Sequence, residues 1–347
     1  MKMEISNSNI INNNVNNNNV NNNNVNNNFI NNNINNNVIN TNNVINNYPL
    51  STINPYLKTE NFKDKHVIIT GSAGAIGSSV LIKLLQCGSK VVGFYHKTIP
   101  NSSQLIPYIN NKSLIFLQLD FEKVSLKITE KFKEAITFLG GILDILIFCH
   151  GKYFKGDFRT ARTLDLDQNY KINVRANFHF LSLAVPFLKI TRGNVVMMSS
   201  MESKIVENGN FLHALAKSMI NSLIQNSALE LASFGIRING VAPSFVESDF
   251  RNKTLTDNTA RIYLQQMKGY HLLNKQFQTP DEIANIIIFL ASKEAEFMTG
   301  EIIYIDSGYE LNHDTSFMQK YKIPIQNKNN NKNHQYQGSY IINNNNK

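Results

Sequence analysis

Cysteine is scarce in this chain, since only Cys87 and Cys149 occur among its 347 residues. Two thiols cannot build a disulfide scaffold, so the sequence excludes the small disulfide-rich class and favours a reducing compartment. Cys149 lies in an apolar stretch, where a cysteine usually acts as a small core residue. The cysteines therefore suggest packing rather than cross-linking.

Long hydrophobic runs are missing as well. No apolar segment reaches the roughly 20 residues that a membrane-spanning helix needs. The N-terminal region lacks the apolar core of a secretory signal and contains no arginine, which disfavours a mitochondrial presequence. The expectation is a soluble cytoplasmic protein without a membrane span.

The chain also lacks any basic run interleaved with aromatic residues, although its formal net charge is +9. Much of this charge is peripheral, because residues 313–347 hold five lysines and one aspartate, a net +4. A solvated basic surface accounts for such a distribution. We therefore expect no nucleic-acid binding.

Asparagine, by contrast, dominates both ends of the chain. Residues 7–47 are almost all asparagine with isolated Val, Ile or Phe, and residues 326–347 are similar. Such tracts cannot bury enough apolar surface to offset their conformational entropy. We predict disordered tails over residues 1–58 and 313–347. A spacer is the favoured interpretation, and the alternative is aggregation or phase separation, to which Asn-rich segments are prone.

Residues 59–312 alternate short apolar runs with longer helical stretches, and no Pro/Gly-rich or charged linker divides them. Their length fits one α/β domain. Strands are predicted at 66–70, 90–95, 113–120, 143–151, 193–200, 236–243 and 301–306, and helices at 78–86, 124–140, 167–188, 213–234 and 281–292. Strands that are apolar on both faces and separated by helices indicate a doubly wound parallel sheet of the Rossmann type.

The turn after the first predicted strand is rich in glycine, with Gly71, Gly74 and Gly77 in the stretch "VIITGSAGAIG". Small residues let the backbone approach a pyrophosphate, whose charge is stabilised by the N-terminus of the following helix. A structural turn is the alternative for any glycine-rich loop. The strand before it, the helix after it and the repeated βα units favour dinucleotide binding.

At this turn the chain resembles the classical short-chain dehydrogenase/reductase family, and the resemblance covers residues 65–311. The family pattern Thr-Gly-x-x-x-(Gly or Ala)-x-Gly is matched by Thr70, Gly71, Ala75 and Gly77. The resemblance implies a bound NAD or NADP. The turn residues expected to contact it are Thr70, Gly71, Ser72, Gly74, Ala75, Ile76 and Gly77.

Further matches follow in the family's order. Asp120 stands where the family has an aspartate that contacts the adenine ring. The family's usual Asn-Ala-Gly triplet is Cys-His-Gly here, so Gly151 is its only matching residue. Asn173 matches a structural and proton-relay asparagine. Pro243 and Ser248 are implied cofactor contacts, Ser248 in place of the threonine that holds the nicotinamide amide.

The end of the second strand decides between the two dinucleotides. An acidic residue there would bind the ribose hydroxyls and favour NAD. The chain has Tyr95, followed by His96 and Lys97, so no carboxylate repels a 2′-phosphate. We therefore expect NADP to be preferred over NAD, with His96 and Lys97 as contacts. The alternative is that Lys97 is an exposed loop residue without a role in cofactor binding.

The catalytic residues implied by the resemblance are Asn173, Ser200, His213 and Lys217. Ser200 precedes position 213 by thirteen residues and Lys217 follows it by four, which is the family's spacing. Position 213 holds a histidine where the family has a tyrosine that donates or accepts the proton. The resemblance also implies that Lys217 contacts the cofactor, because the family's lysine lowers the pKa of that tyrosine and holds the nicotinamide ribose. Tyr153, after the fourth strand, is a minor candidate for a substitute acid. No metal site is expected.

Two functions remain open for the folded domain. Composition alone supports a third hypothesis, in which the Asn-rich tracts are the functional part and the domain is an accessory. The first is an NAD(P)-dependent oxidoreductase that acts on a small carbonyl or alcohol substrate, with His213 as a weaker acid/base. The alternative is a non-catalytic nucleotide-binding protein, because imidazole is shorter than phenol and a displacement of about 1 Å can cost roughly 100-fold in rate. The resemblance also implies a homodimer or homotetramer, and residues 250–276 are expected to form a mobile cover.

Overall fold

The computed structural model describes residues 59–100, 103–122, 125–154, 156–247 and 258–312. Its strands are β1 (His66–Thr70), β2 (Lys90–Tyr95), β3 (Leu114–Gln118), β4 (Ile145–Phe148), β5 (Asn194–Met198), β6 (Arg237–Pro243) and β7 (Ile302–Ile305). Its helices are α1 (Ala75–Gln86), α2 (Ile106–Asn110), α3 (Ser125–Phe138), α4 (Thr163–Tyr170), α5 (Ala176–Thr191), α6 (Phe211–Leu231), α7 (Asn258–Tyr270), α8 (Pro280–Ala291) and α9 (Tyr309–Asn312). The tails predicted over 1–58 and 313–347 lie outside the described residues.

The seven strands form one sheet in the order β3-β2-β1-β4-β5-β6-β7, and every neighbouring pair is parallel. The chain winds outward from β1 to β3, then crosses to β4 on the other side of β1. Parallel sheets bind ligands in the crevice beyond the carboxyl ends of the strands at such a switch point. The predicted α/β doubly wound, Rossmann-type fold is confirmed.

Both faces of the sheet are covered by helices. Alternate strand residues point to opposite faces, so Ile68 of β1 faces one core while Val67 and Ile69 face the other. One core contains apolar side chains of α3, α5 and α6, and the second contains those of α1 and α8. Phe180 of α5 is fully buried at the centre of the first core. This two-sided packing explains why the strands are apolar throughout.

The stretch predicted as one helix over 167–188 has an interruption. It consists of α4, a π-helical turn over Lys171–Arg175, and α5. π-helical turns inside α-helices are rare overall, but where they occur they often lie at functional sites. Here the turn carries Asn173, one of the predicted catalytic residues.

The residues at the start of helix α8 favour helix initiation. Thr279 caps its N-terminus by accepting a hydrogen bond from the Glu282 amide at 3.3 Å, and the Glu282 carboxylate accepts one from the Thr279 amide at 2.7 Å. Pro280 occupies the first helical position, where its missing N–H costs nothing.

In the part of the chain that the structure describes, no helix is long and apolar enough to cross a bilayer.

Candidate active site

The turn between β1 and α1 needs glycine for steric reasons. Gly71 has a φ of +69°, and a Cβ there would lie 2.6 Å from the backbone nitrogen of His150. A Cβ on Gly77 would collide with the carbonyl oxygen of Gly71. Gly74 has extended backbone angles at the N-cap of α1, directly before Ala75 and Ile76. The turn therefore leaves a side-chain-free cradle at a helix N-terminus, which fits a dinucleotide pyrophosphate.

Two side chains of this turn hold the cradle in place. Ser72 is fully buried, and both its amide and its hydroxyl donate to the carbonyl of Phe94, at 2.9 and 3.1 Å. Thr70 is also fully buried at the end of β1. The amide and the hydroxyl of Ser72 are thus both used to tie the turn to β2.

His150 fastens the end of β4 to the same turn. Its Nδ1 lies 2.7 Å from the hydroxyl of Thr70, and its ring stacks on Phe121 with centroids 4.0 Å apart. Burial, together with the nearby charge of Lys217, lowers the pKa of His150 to about 3. A neutral imidazole therefore links β1, β4 and the segment after β3. No pattern in the sequence had indicated a role for this histidine.

A pocket of about 230 Å³ opens beyond the ends of β2 and β3. His96 lies here with its Nε2 3.7 Å from Oδ2 of Asp120, and its carbonyl accepts a hydrogen bond from Gln118 at 2.9 Å. The pocket is lined by His96, Lys97, Gln118, Asp120 and Lys127. Lys127 belongs to α3, and no local pattern in the sequence singled it out.

Asn173 fixes the loop that follows β4. Its Oδ1 accepts from the amide of Lys152 at 2.9 Å, and its Nδ2 donates to the carbonyl of Lys152 at 2.8 Å and to Oδ1 of Asn169 at 2.6 Å. A Cβ on Gly151 would lie 3.2 Å from Asn173 Oδ1 and 4.0 Å from Nζ of Lys217. The glycine therefore lets Asn173 and Lys217 come close to the same strand end.

Lys217 lies on α6 and turns its ammonium towards the sheet. Nζ donates to the carbonyl of Met198 at 2.8 Å, and the residue is 7% exposed. Burial lowers the pKa of Lys217 to about 8, against the opposing charges of Glu202 and Cys149. Its protonation state therefore changes close to neutral pH.

His213 lies one helical turn before Lys217. Its side chain is 15% exposed, and its Nε2 is 3.7 Å from Oε2 of Glu202. Its Nδ1 is buried and has no hydrogen-bond partner among the described residues. Burial and the charge of Lys217 lower the pKa of His213 to about 3. The ring is therefore neutral at physiological pH.

Ser200 follows β5 and begins a short 3-10 turn over Met201–Ser203. Its hydroxyl oxygen accepts a hydrogen bond from the amide of Glu202 at 3.2 Å. Since the carboxylate of Glu202 also faces His213, one residue joins Ser200 to His213. The predicted residues Ser200, His213 and Lys217 thus meet at the carboxyl end of β5.

Tyr153 lies against the imidazole of His213. The two ring centroids are 5.0 Å apart at an interplanar angle of 53°. The Tyr153 hydroxyl donates a hydrogen bond to Oδ1 of Asn210, which precedes α6. The structure therefore places this tyrosine beside His213, with its hydroxyl directed to the side-chain amide oxygen of Asn210.

The end of β6 connects the sheet to the proposed cover. Pro243 pairs with Ile305 of β7. The next residue, Ser244, has its hydroxyl 2.9 Å from Nε2 of His271, which is fully buried just after α7. Ser248 lies outside the described residues, and the cover predicted over 250–276 is described only from α7 onward.

A family model and two relatives match most of this chain. The family model described as Enoyl-(Acyl carrier protein) reductase matches residues 71–310. The 3-oxoacyl-acyl-carrier-protein reductase FabG of Escherichia coli is 31% identical over 257 residues, covering 72% of this chain and 98% of the relative. The 7alpha-hydroxysteroid dehydrogenase of Bacteroides fragilis is 26% identical over 261 residues, covering 73% and 97%.

Solved structures share the fold. The Cj0485 dehydrogenase superimposes with a TM-score of 0.68 at 23% identity, covering 74% of this chain and all of that one. A short-chain dehydrogenase/reductase from Serratia marcescens gives a TM-score of 0.62 at 21% identity, covering 72% and 99%. The residues matched by the family model include Asn173, Ser200, His213 and Lys217. The chain belongs to the classical short-chain dehydrogenase/reductase family of NAD(P)-dependent oxidoreductases, which act on alcohol and carbonyl groups.

Proposed function

We propose that this protein is an NADP-preferring oxidoreductase of a small carbonyl or alcohol substrate in which His213 replaces the family's tyrosine. One observation carries the proposal: His213 and the buried ammonium of Lys217 lie one turn apart on α6, with Ser200 joined to His213 through Glu202. The glycine cradle after β1 fits the pyrophosphate of the cofactor. A bound NADPH supplies the hydride.

Four side chains have separate roles in the proposed reaction. Ser200 and the N–H of neutral His213 donate hydrogen bonds to the substrate oxygen and stabilise the negative charge that develops on it. Lys217, whose pKa is about 8, is the proton source closest to neutrality. Asn173 holds the loop after β4 beside Lys217. His213 therefore acts as a hydrogen-bond donor rather than as an imidazolium acid.

The preference for NADP rests on the pocket beyond β2 and β3. Lys97 and Lys127 line it together with the single carboxylate of Asp120, so cations outnumber acids there and complement a 2′-phosphate. In fluorescence titrations we expect NADPH to bind more tightly than NADH. Lys97→Glu should weaken NADPH binding by at least about tenfold, as expected for one hydrogen bond to a charged group, and spare NADH.

The matched control for that substitution is Lys133→Glu, an exposed position on the same helix as Lys127 but outside the pocket. It should leave both nucleotide affinities unchanged. Equal weakening by the two variants would contradict a local phosphate contact. If neither nucleotide binds to the parent protein, the oxidoreductase proposal fails altogether.

The rate of carbonyl reduction is expected to depend on pH through Lys217. The ammonium is present below its pKa of about 8 and is lost as pH rises through that value. kcat/KM should therefore be level near pH 7 and fall about tenfold per pH unit well above pH 8. A profile that already falls near pH 6.5, the ordinary pKa of histidine, would assign the acid to imidazolium instead.

Three further properties belong to this proposal. The substrate is a small molecule with a carbonyl or alcohol group. The carbonyl or alcohol chemistry is supported by the names of the two relatives, which give a 3-oxoacyl group and a 7alpha-hydroxysteroid for those proteins. A homodimer or homotetramer is supported by exposed apolar side chains on the long helices, with Phe178 at 59% and Leu229 at 80% exposure. A cytoplasmic location is supported by Cys87 and Cys149, which are both free thiols.

A further inference from the structure

Ser200 lies in a short segment between β5 and α6, residues 199–203, which we call the serine loop. Just before Ser200, the amide of Ser199 donates a hydrogen bond to the carbonyl of Val241 on β6 at 2.7 Å. Just after it, the amide and the hydroxyl of Ser203 both donate to the Ser200 carbonyl, at 3.0 and 2.6 Å. The position of Ser200 therefore depends on the two serines that flank it.

Both flanking serines are bound by one side chain, that of Asn221 on α6. Its Oδ1 accepts a hydrogen bond from the Ser199 hydroxyl at 2.5 Å, and its Nδ2 donates to the Ser203 hydroxyl oxygen at 2.8 Å. The same Nδ2 lies 3.2 Å from the hydroxyl oxygen of Tyr304, which belongs to β7. A single amide therefore joins the loop on both sides of Ser200 to α6 and β7.

We propose that Asn221 is a positioning residue, which fixes the main chain on both sides of Ser200 and so directs the serine hydroxyl to the substrate oxygen. This inference rests on the function proposed above, in which Ser200 donates that hydrogen bond. The Ser200 oxygen accepts from the amide of Glu202 at 3.2 Å, so the hydroxyl proton can be donated to a substrate. No motif in the sequence singled out Asn221.

The hydroxyl protons fix the orientation of the Asn221 amide. Ser203 has one hydroxyl proton and uses it at the Ser200 carbonyl, so its oxygen can only accept from Asn221. The group that faces Ser203 must therefore be Nδ2, which leaves Oδ1 for the hydroxyl of Ser199. An amide supplies both the donor and the acceptor that the two serines require.

Helix α6 is bound to the end of β5 at two successive turns. Nζ of Lys217 donates to the carbonyl of Met198 at 2.8 Å, and Asn221, four residues later, accepts from the hydroxyl of Ser199. Residues four apart on a helix lie on the same face. Loss of the Asn221 amide is therefore expected to release the serine loop while the contact between Lys217 and the strand end remains.

Asn226, on the same helix, offers a matched control. It is exposed, and its Nδ2 donates to the carbonyl and the hydroxyl oxygen of Ser222 at 2.8 and 3.2 Å, so these bonds stay within α6. Asn221→Ala and Asn226→Ala are the same chemical change, and alanine favours the helix at both positions. Only the first substitution removes a contact with the serine loop.

The first measurement is hydrogen exchange of the Ser203 amide, followed by NMR in the full-length protein without cofactor. Because this amide is bonded to the Ser200 carbonyl, it should be protected in the parent protein. Asn221→Ala should speed its exchange by at least about tenfold, as expected when the loop loses two hydrogen bonds. Asn226→Ala should leave the exchange rate unchanged.

The second measurement is the reduction of a panel of ketones by NADPH. Asn221→Ala should lower kcat about tenfold and spare NADPH affinity, a smaller loss than the roughly 100-fold expected of Ser200→Ala. In the Ser200→Ala background, Asn221→Ala should lower kcat no further, because it acts through the serine hydroxyl. Ser203→Ala, which removes the link to the Ser200 carbonyl and leaves α6 intact, should reproduce the loss.

Three results would overturn the proposal. The first is a Ser203 amide that exchanges equally fast in Asn221→Ala and in the parent protein, and the second is an unchanged kcat in Ser203→Ala. The third is the same loss of kcat from Asn221→Ala with and without the Ser200 hydroxyl, which would indicate a general weakening of the fold. If the parent protein turns over no substrate while the Ser203 amide still depends on Asn221, the proposed function fails and the anchoring of the serine loop stands.

Discussion

His213→Tyr is expected to raise kcat/KM for carbonyl reduction by about 100-fold. A phenol extends farther from α6 than imidazole does, so its oxygen reaches the position from which the family's tyrosine bonds the substrate, and a displacement of about 1 Å is worth roughly that factor. The ammonium of Lys217, one turn away, favours the phenolate and so assists proton transfer. Steady-state kinetics with a panel of ketones and NADPH would measure the gain.

The gain should depend on the rest of the site. Ser200→Ala in the His213→Tyr background is expected to remove most of it, because the hydroxyl then no longer supports the substrate oxygen. NADPH affinity should be the same in parent and variant, which shows that the fold is intact. A His213→Tyr variant that binds NADPH but is as inactive as the parent would favour a nucleotide-binding protein without catalysis.

Lys217→Met is expected to lower kcat/KM by about 10²–10⁴-fold, the usual cost of losing a general acid. Methionine has nearly the length of lysine, so the change removes the charge and the 2.8 Å hydrogen bond to Met198 while filling the same space. The fall in rate above pH 8 should disappear with it. The measurement is the pH dependence of kcat/KM, with circular dichroism to confirm folding.

Lys189→Met on α5 is the control for that substitution. Lys189 is exposed and lies over the ring of Phe234, with Nζ 4.3 Å from the ring centroid, on the helix layer rather than in the site. Its loss should leave the rate and the pH profile unchanged. An alkaline limb near pH 8 that persists in Lys217→Met would mean that a different group supplies the proton.

The repeating pattern along the chain was sufficient to predict the fold. Runs such as residues 66–70 and 90–95 are β1 and β2 with the predicted bounds. Strands that are apolar on both faces have no stable arrangement except between two helix layers, so the order of elements leaves few alternatives. The short helix α2 and the π-helical turn at Lys171–Arg175 escaped prediction, because local sequence encodes such departures from regular geometry weakly.

The motifs in the sequence were sufficient to recognise the family. The sequence also placed His213 and Lys217 on one face of a helix, because residues four apart on a helix share a face. Only the tertiary structure showed which side chains that are distant in the sequence lie together in the cleft. Lys127 meets Lys97 at one pocket, His150 meets Thr70, and Glu202 turns into the protein instead of towards solvent. The direction and burial of a side chain depend on what packs around it, and linear spacing carries no record of those neighbours.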